Sequence, residues 1–197
     1  AIHVTATQDG NSVIIEETRQ PQDFTLGFLW QNVSIDLTVP RTTNLTATLN
    51  AGSLTADDLQ GAAVVTANAG SIEFNNAQLS NASLHSNAGS ITLTQVALSG
   101  NAHVTANAGS IELQGTLAPH TTLAVGANAG SVSLTLPAAT SAHLEATTNA
   151  GSISIEGWPI AVQRDLARSF ASGDLVPNPT GSITIHNNAG SVTVSAD

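Results

Sequence analysis

The sequence has no cysteine, no methionine, no tyrosine and no lysine, and its four cations are all arginine. Without cysteine there is no disulfide framework and no thiolate chemistry, and the redox compartment leaves no trace in the sequence. Four cations against fourteen carboxylates give a net charge of -10. That balance repels phosphate backbones and anionic lipid headgroups, so no nucleic-acid partner and no basic membrane-surface role is expected. No apolar run approaches the ~20 residues of a membrane helix. No basic start followed by an apolar stretch and a cleavage site is present either. A chain that begins at Ala1 and lacks Met throughout is expected to be a trimmed or processed product, with any membrane anchor lying outside it. Aromatic residues make up only 3%, which suits a narrow interior filled by Ala, Val, Ile and Leu.

What is present is a repeat. The tetrapeptide Asn-Ala-Gly-Ser occurs seven times, starting at Asn50, Asn68, Asn87, Asn107, Asn128, Asn149 and Asn188, and an apolar residue follows each copy. The first six glycines (Gly52, Gly70, Gly89, Gly109, Gly130, Gly151) are spaced by 18, 19, 20, 21 and 21 residues, and Gly190 follows after 39. A period near 20 marks a solenoid, in which no repeat can bury its apolar face alone. Flanking residues alternate, as in Val65-Thr66-Ala67 before the corner and Ile72-Glu73-Phe74 after it. Period-two alternation predicts strands with one buried face.

Stacked coils then align apolar columns. One runs through Leu54, Ile72, Ile91, Ile111, Val132 and Ile153, and a second through Ala56, Phe74, Leu93, Leu113, Leu134 and Ile155. A third, at the opposite bend, is Leu59, Leu79, Leu98 and Leu117. The predicted architecture is an all-β parallel β-solenoid (β-helix) of about six to eight coils, with 18–21 residues per coil. The handedness is left open.

The chain reads as one repeat domain. Residues 1–44 are capping strands (IHVTAT, SVIIEE, VSIDLTVP), with Phe24, Phe28 and Trp30 as a plug over the first coil. Regular coils span 45–157, an irregular excursion 158–180, and a final coil 181–197. Within the excursion AVQRDLARSF suits a short helix, although Ile160–Val162 equally suits a strand.

These pieces, in this order, resemble the DUF4097 family of bacterial candidate adhesins. The resemblance rests on VSIDLTVP, on LTATLNAGSLTADDLQGAAVVTANAGSIEF and on the closing GSITIHNNAGSVTV, and it covers nearly the whole chain. It implies a surface-exposed β-solenoid, often membrane-anchored, with roles in adhesion or envelope-stress sensing. Many members carry a Gly-Asp corner where this chain has Ala-Gly-Ser throughout. Any ligand role of that Asp has no counterpart here.

The corner itself is weak ground for chemistry. A glycine-rich loop cradles phosphate when it opens a helix, but here each glycine lies between strands and no Lys follows. Calcium-binding glycine repeats need an Asp in each turn, and Asp57-Asp58 is the only carboxylate pair in a bend. The six His residues show no HxH or HxxxH pairing. No catalytic, cofactor-binding or metal-binding residue is therefore expected, and the protein is not expected to be an enzyme. The nearest approach to a catalytic pair is Glu73 and Glu112, in one column with Thr92 between them, about 9–10 Å apart by strand spacing.

The corner residues Asn50, Asn68, Asn87, Asn107, Asn128 and Asn149 are instead predicted to stack as an amide ladder beside Gly52, Gly70, Gly89, Gly109, Gly130 and Gly151. The possible interaction surface comprises Thr66, Glu73, Thr92, Thr105, Glu112 and Trp158. Interrupted Thr columns also raise ice binding as a minor reading. The leading expectation is a non-catalytic cell-surface scaffold for a glycan, cell-wall polymer or protein partner. The alternative is a sensor or assembly module that docks another envelope protein through the solenoid end or the Trp158 excursion.

Overall fold

The computed structural model describes residues 2–19 and 34–197. The chain falls into two compact units, 1–38 and 39–197. The first unit contains an antiparallel hairpin, β1 (Ile2–Asp9) and β2 (Ser12–Arg19). Residues 34–40, expected as a strand, form none. Alternation makes a strand only where a neighbour accepts its backbone, and Ile35, Leu37 and Val39 are exposed. The proposed plug of Phe24, Phe28 and Trp30 lies outside the described residues.

The second unit is built of strands alone; among the described residues there is no helix. In chain order it comprises β3 (Leu45–Leu49), β4 (Leu54–Asp57), β5 (Gln60–Gly61), β6 (Ala63–Ala69), β7 (Ile72–Asn75), β8 (Gln78–Ser80), β9 (Ser83–Ala88), β10 (Ile91–Ser99) and β11 (Asn101–Ala108). It continues with β12 (Ile111–Leu117), β13 (Thr122–Ala129), β14 (Val132–Leu136), β15 (Ala142–Ala150), β16 (Ile153–Glu156), β17 (Val162–Asp165), β18 (Arg168–Asp174), β19 (Gly181–Ala189) and β20 (Val192–Ala196). Strands before the corners stack in one sheet and strands after them in another, giving the parallel, β-solenoid-like layering the period demanded.

Inward side chains from both sheets make one core. Ile72, Ile91, Ile111, Leu93, Leu113, Val65, Leu84 and Val104 are all at most 1% exposed. Burying a side chain of this kind contributes roughly 1.5–3 kcal/mol. The returning segments turn again at left-handed residues: Asp58 (φ 57), Asn76 (φ 51) and Gln95 (φ 55) in the earlier coils. Register across this bend sets Gly61, not Leu59, in line with Leu79, Leu98 and Leu117.

Two expectations near the C-terminus need correction. Residues 161–170 form the hairpin β17–β18, with Asp165 opposite Arg168 and Leu166 in the left-handed region. β18 pairs antiparallel with β15. The helix propensity of Ala, Leu, Arg and Gln is overridden because β15 would otherwise leave a row of unpaired backbone groups.

The second correction is the order of coils. The segment 181–197, expected as the last rung, is not last in space: the sheets run β13-β19-β15 and β14-β20-β16. The chain builds the rung 122–136, steps past a gap to 142–156, forms the hairpin, and returns to fill the gap with β19 and β20.

Candidate interaction surface

Two properties fix glycine at the corner. Gly70, Gly89, Gly109, Gly130, Gly151 and Gly190 have φ between 131 and 155°, where side chains are rarely tolerated. A Cβ on Gly109 would also stand 2.2 Å from the Gly89 carbonyl oxygen, and one on Gly70 only 1.7 Å from that of Gly52. The corners thus nest backbone on backbone, one glycine against the next.

This nesting brings the adjacent asparagines into reach. Asn68 Nδ2 donates to Asn50 Oδ1 at 3.1 Å, Asn87 to Asn68 at 2.8 Å, Asn107 to Asn87 at 2.7 Å and Asn128 to Asn107 at 2.7 Å. The next step goes to Asn188, which donates to Asn128 at 2.7 Å, and Asn149 donates to Asn188 at 2.9 Å. Asn128 and Asn149, expected as neighbours, are separated by the returning rung. His85 joins the row: its Nε2 lies 2.9 Å from Asn87 Oδ1 and its Nδ1 lies 2.8 Å from Thr105 Oγ1. With the amide oxygen as acceptor, Nε2 carries the proton and Nδ1 accepts from the Thr hydroxyl.

One column inward from the amides, the outer face of the pre-corner sheet carries Thr48, Thr66, His85, Thr105, Gly126, His186 and Thr147 in register. The Thr147 hydroxyl lies 2.8 Å from His186 Nδ1. Thr66 and Thr105 therefore belong to this face. Glu73, Thr92 and Glu112 belong to the other sheet, where Thr92 stands between the two carboxylates. Asn75 Nδ2 bonds both Glu73 Oε1 at 3.1 Å and Asp57 Oδ1 at 3.0 Å. Both Glu side chains are exposed.

Trp158 belongs to neither face. It is 7% exposed and its indole N–H donates to the Ala138 carbonyl at 3.2 Å, so it packs the core instead of meeting a partner. A buried indole usually finds a partner for its N–H, as this one does.

One further cluster has no signature in the sequence. Across β15 and β18, Asp174 Oδ1 pairs with His143 Nδ1, and Ser172 Oγ lies 3.3 Å from His143 Nε2. The connectivity matches a serine-activating relay. Such a relay also needs donors aimed at a developing oxyanion and exclusion of water. Here the His143 and Asp174 side chains are 44% and 50% exposed on an outer sheet face. We read the trio as a clasp between two strands. Only the antiparallel pairing of β18 brings it together, and no local motif announces that pairing. Among the described residues no group of three or more His, Asp and Glu side chains converges as a metal site would require.

A family model described as Toastrack DUF4097 matches residues 2–119 and 32–195. No curated protein matches the sequence. Among solved structures, a candidate cell adhesion protein from Clostridium sporogenes is similar at 13% identity with a TM-score of 0.40, over 100% of this chain and 76% of that one.

Proposed function

The chain belongs to the Toastrack DUF4097 family, and from that premise we propose that it is a non-catalytic cell-surface scaffold that binds an uncharged, hydroxyl-rich polymer of glycan or cell-wall type. The observation that carries the proposal is the strip formed by the amide row and the Thr/His column beside it, which only Gly126 interrupts. Amides and hydroxyls at a fixed rung spacing offer repeated donors and acceptors to a polymer of hydroxyl groups, and many weak contacts in register add. The low charge, 9% of residues, suits a neutral ligand. On this reading the protein acts outside the cell, held by an anchor beyond the chain.

The test is retention on insoluble peptidoglycan and on neutral polysaccharide. The native chain is retained, and Thr105→Arg, placed mid-strip, loses retention severalfold with an unchanged thermal midpoint. If the native chain passes through every such matrix, the proposal fails.

Within this reading we take the coils to make seven stacked levels, which the column Leu54, Ile72, Ile91, Ile111, Val132, Val192, Ile153 supports.

A second reading, docking onto another envelope protein, is supported by the β17–β18 hairpin, where Leu166 is fully exposed at the turn and Phe170 is 36% exposed. Leu166→Ser with Phe170→Ser should abolish capture of that partner and leave polymer retention intact.

A further inference from the structure

We propose that the rung β19–β20 is exchangeable, and that the slot it fills accepts the same rung from a second copy of the chain. Neither wall of the slot depends on the filler for its register. Ile183 pairs with Leu123 on one side and Leu144 on the other, Ile185 with Val125 and Ala146, and Ala189 with Ala129 and Ala150. The two walls could therefore meet directly, Leu123 against Leu144, with no residue changing face.

Chain length permits the same. Gly130 and Gly151 are 21 residues apart, the spacing that separates Gly109 from Gly130, which do stack as neighbours. A closed arrangement without β19–β20 thus exists in the geometry of the repeat, and the inserted rung is one of two states available to this end of the solenoid.

The rung also carries an unmet polar atom. At the inward position before the corner Asn, the rungs 101–117 and 122–136 carry Ala106 and Ala127 and the rung 142–156 carries Thr148, while the inserted rung buries Asn187, 3% exposed. Asn187 Nδ2 donates to the Gly130 carbonyl at 3.1 Å, while its Oδ1 is buried without a partner. An unmet buried acceptor is a penalty of insertion. The tether joining the hairpin to the rung, Leu-Val-Pro-Asn-Pro-Thr at 175–180, is short and stiffened by two prolines, with Asn178 in the left-handed region. Exchange between copies keeps every rung hydrogen bond and alters only this tether, the usual condition for swapping an identical element. Whatever polymer the outer strip binds, the proposal stands or falls separately.

The test uses the absence of native cysteine. Ala124 and Thr184 are Cα partners across the slot, at a separation a disulfide can bridge. Full-length Ala124→Cys and Thr184→Cys chains are mixed, refolded together from denaturant at high concentration and oxidised. A covalent dimer of twice the chain mass is expected, its yield rising with concentration and exceeding severalfold that of an Ala124→Cys and His186→Cys mixture, whose positions are out of register. Refolded dilute, where the rung meets no second copy, the doubly substituted chain should close within itself and stay monomeric. Monomers only from the mixture, an equal yield from the out-of-register pair, or failure of the double variant to close internally would each overturn the proposal.

Discussion

The corner and the bend opposite it are turns of the same coil, yet one is written identically seven times and the other never twice. At the corner, equivalent residues touch one another: glycine carbonyl against glycine, amide against amide. At the bends, left-handed places are filled by Asp58, Asn76, Asn81, Gln95, Gly100 and His120, because a turn facing solvent asks only for a tolerable φ. Repetition in this sequence marks self-contact along the axis. Variation marks bends whose coil-to-coil contacts run through differing side chains, as where Asn76 Nδ2 donates to Asp58 Oδ1 and the Asn101 N–H donates to Asn81 Oδ1.

That contrast can be broken most sharply by giving both turns the same residue. Gly109→Asn should cost about 3 kcal/mol or more, from a strained φ of 147° together with a Cβ driven onto the Gly89 carbonyl. Gly100→Asn, at φ 69°, copies Asn81 one rung away, which holds φ 54°. It should cost about 1–2 kcal/mol, since the contacting atom is the Asn81 side-chain oxygen, whose displacement loses the bond it accepts from the Asn101 N–H. Urea unfolding of the two variants reads the difference, and equal losses would remove the distinction drawn here.

Next in size is the amide row. Asn107→Ala removes one donated and one accepted bond and should destabilise by about 1–2 kcal/mol. Asn50→Ala, at the end of the row, removes only the bond accepted from Asn68 and should lose about half of that. The smallest effect is expected at Asn187→Ala. The Gly130 carbonyl loses its amide partner, but an unmet buried oxygen disappears too, so the midpoint should move by less than about 1 kcal/mol in either direction. A large loss there would mean that the inserted rung is gripped more firmly than its packing suggests.

Much of the layering was legible from spacing. Gly70 to Gly89 to Gly109 sets the coil length, and the Ile72-Glu73-Phe74 alternation fixes which face is buried. The order of coils was not legible, because the period specifies how any rung sits on its neighbour and says nothing of which rung that is. Val132 accepts Val192 as readily as Ile153. The hairpin at 162–174 was hidden for a related reason: Gln, Arg, Ala and Leu favour a helix locally, and only the open edge of β15, a tertiary feature, decides otherwise. The place of Thr66 and Thr105 in one outer column was legible from alternation. Trp158 was misplaced because sequence shows an aromatic side chain but not what lies over it. The Ser172–His143–Asp174 clasp needed a strand pairing that nothing local encodes.

One consequence of the asparagine row concerns direction. From Asn149 through Asn188 and Asn128 down to Asn50, each amide gives its proton the same way. Parallel dipoles in line reinforce one another. The solenoid therefore has an electrical axis, with a carbonyl oxygen facing outward at the Asn149 end and an NH2 group at the Asn50 end. Its two ends differ in polarity as well as in shape, and anything that extends the row must approach one end as a donor and the other as an acceptor.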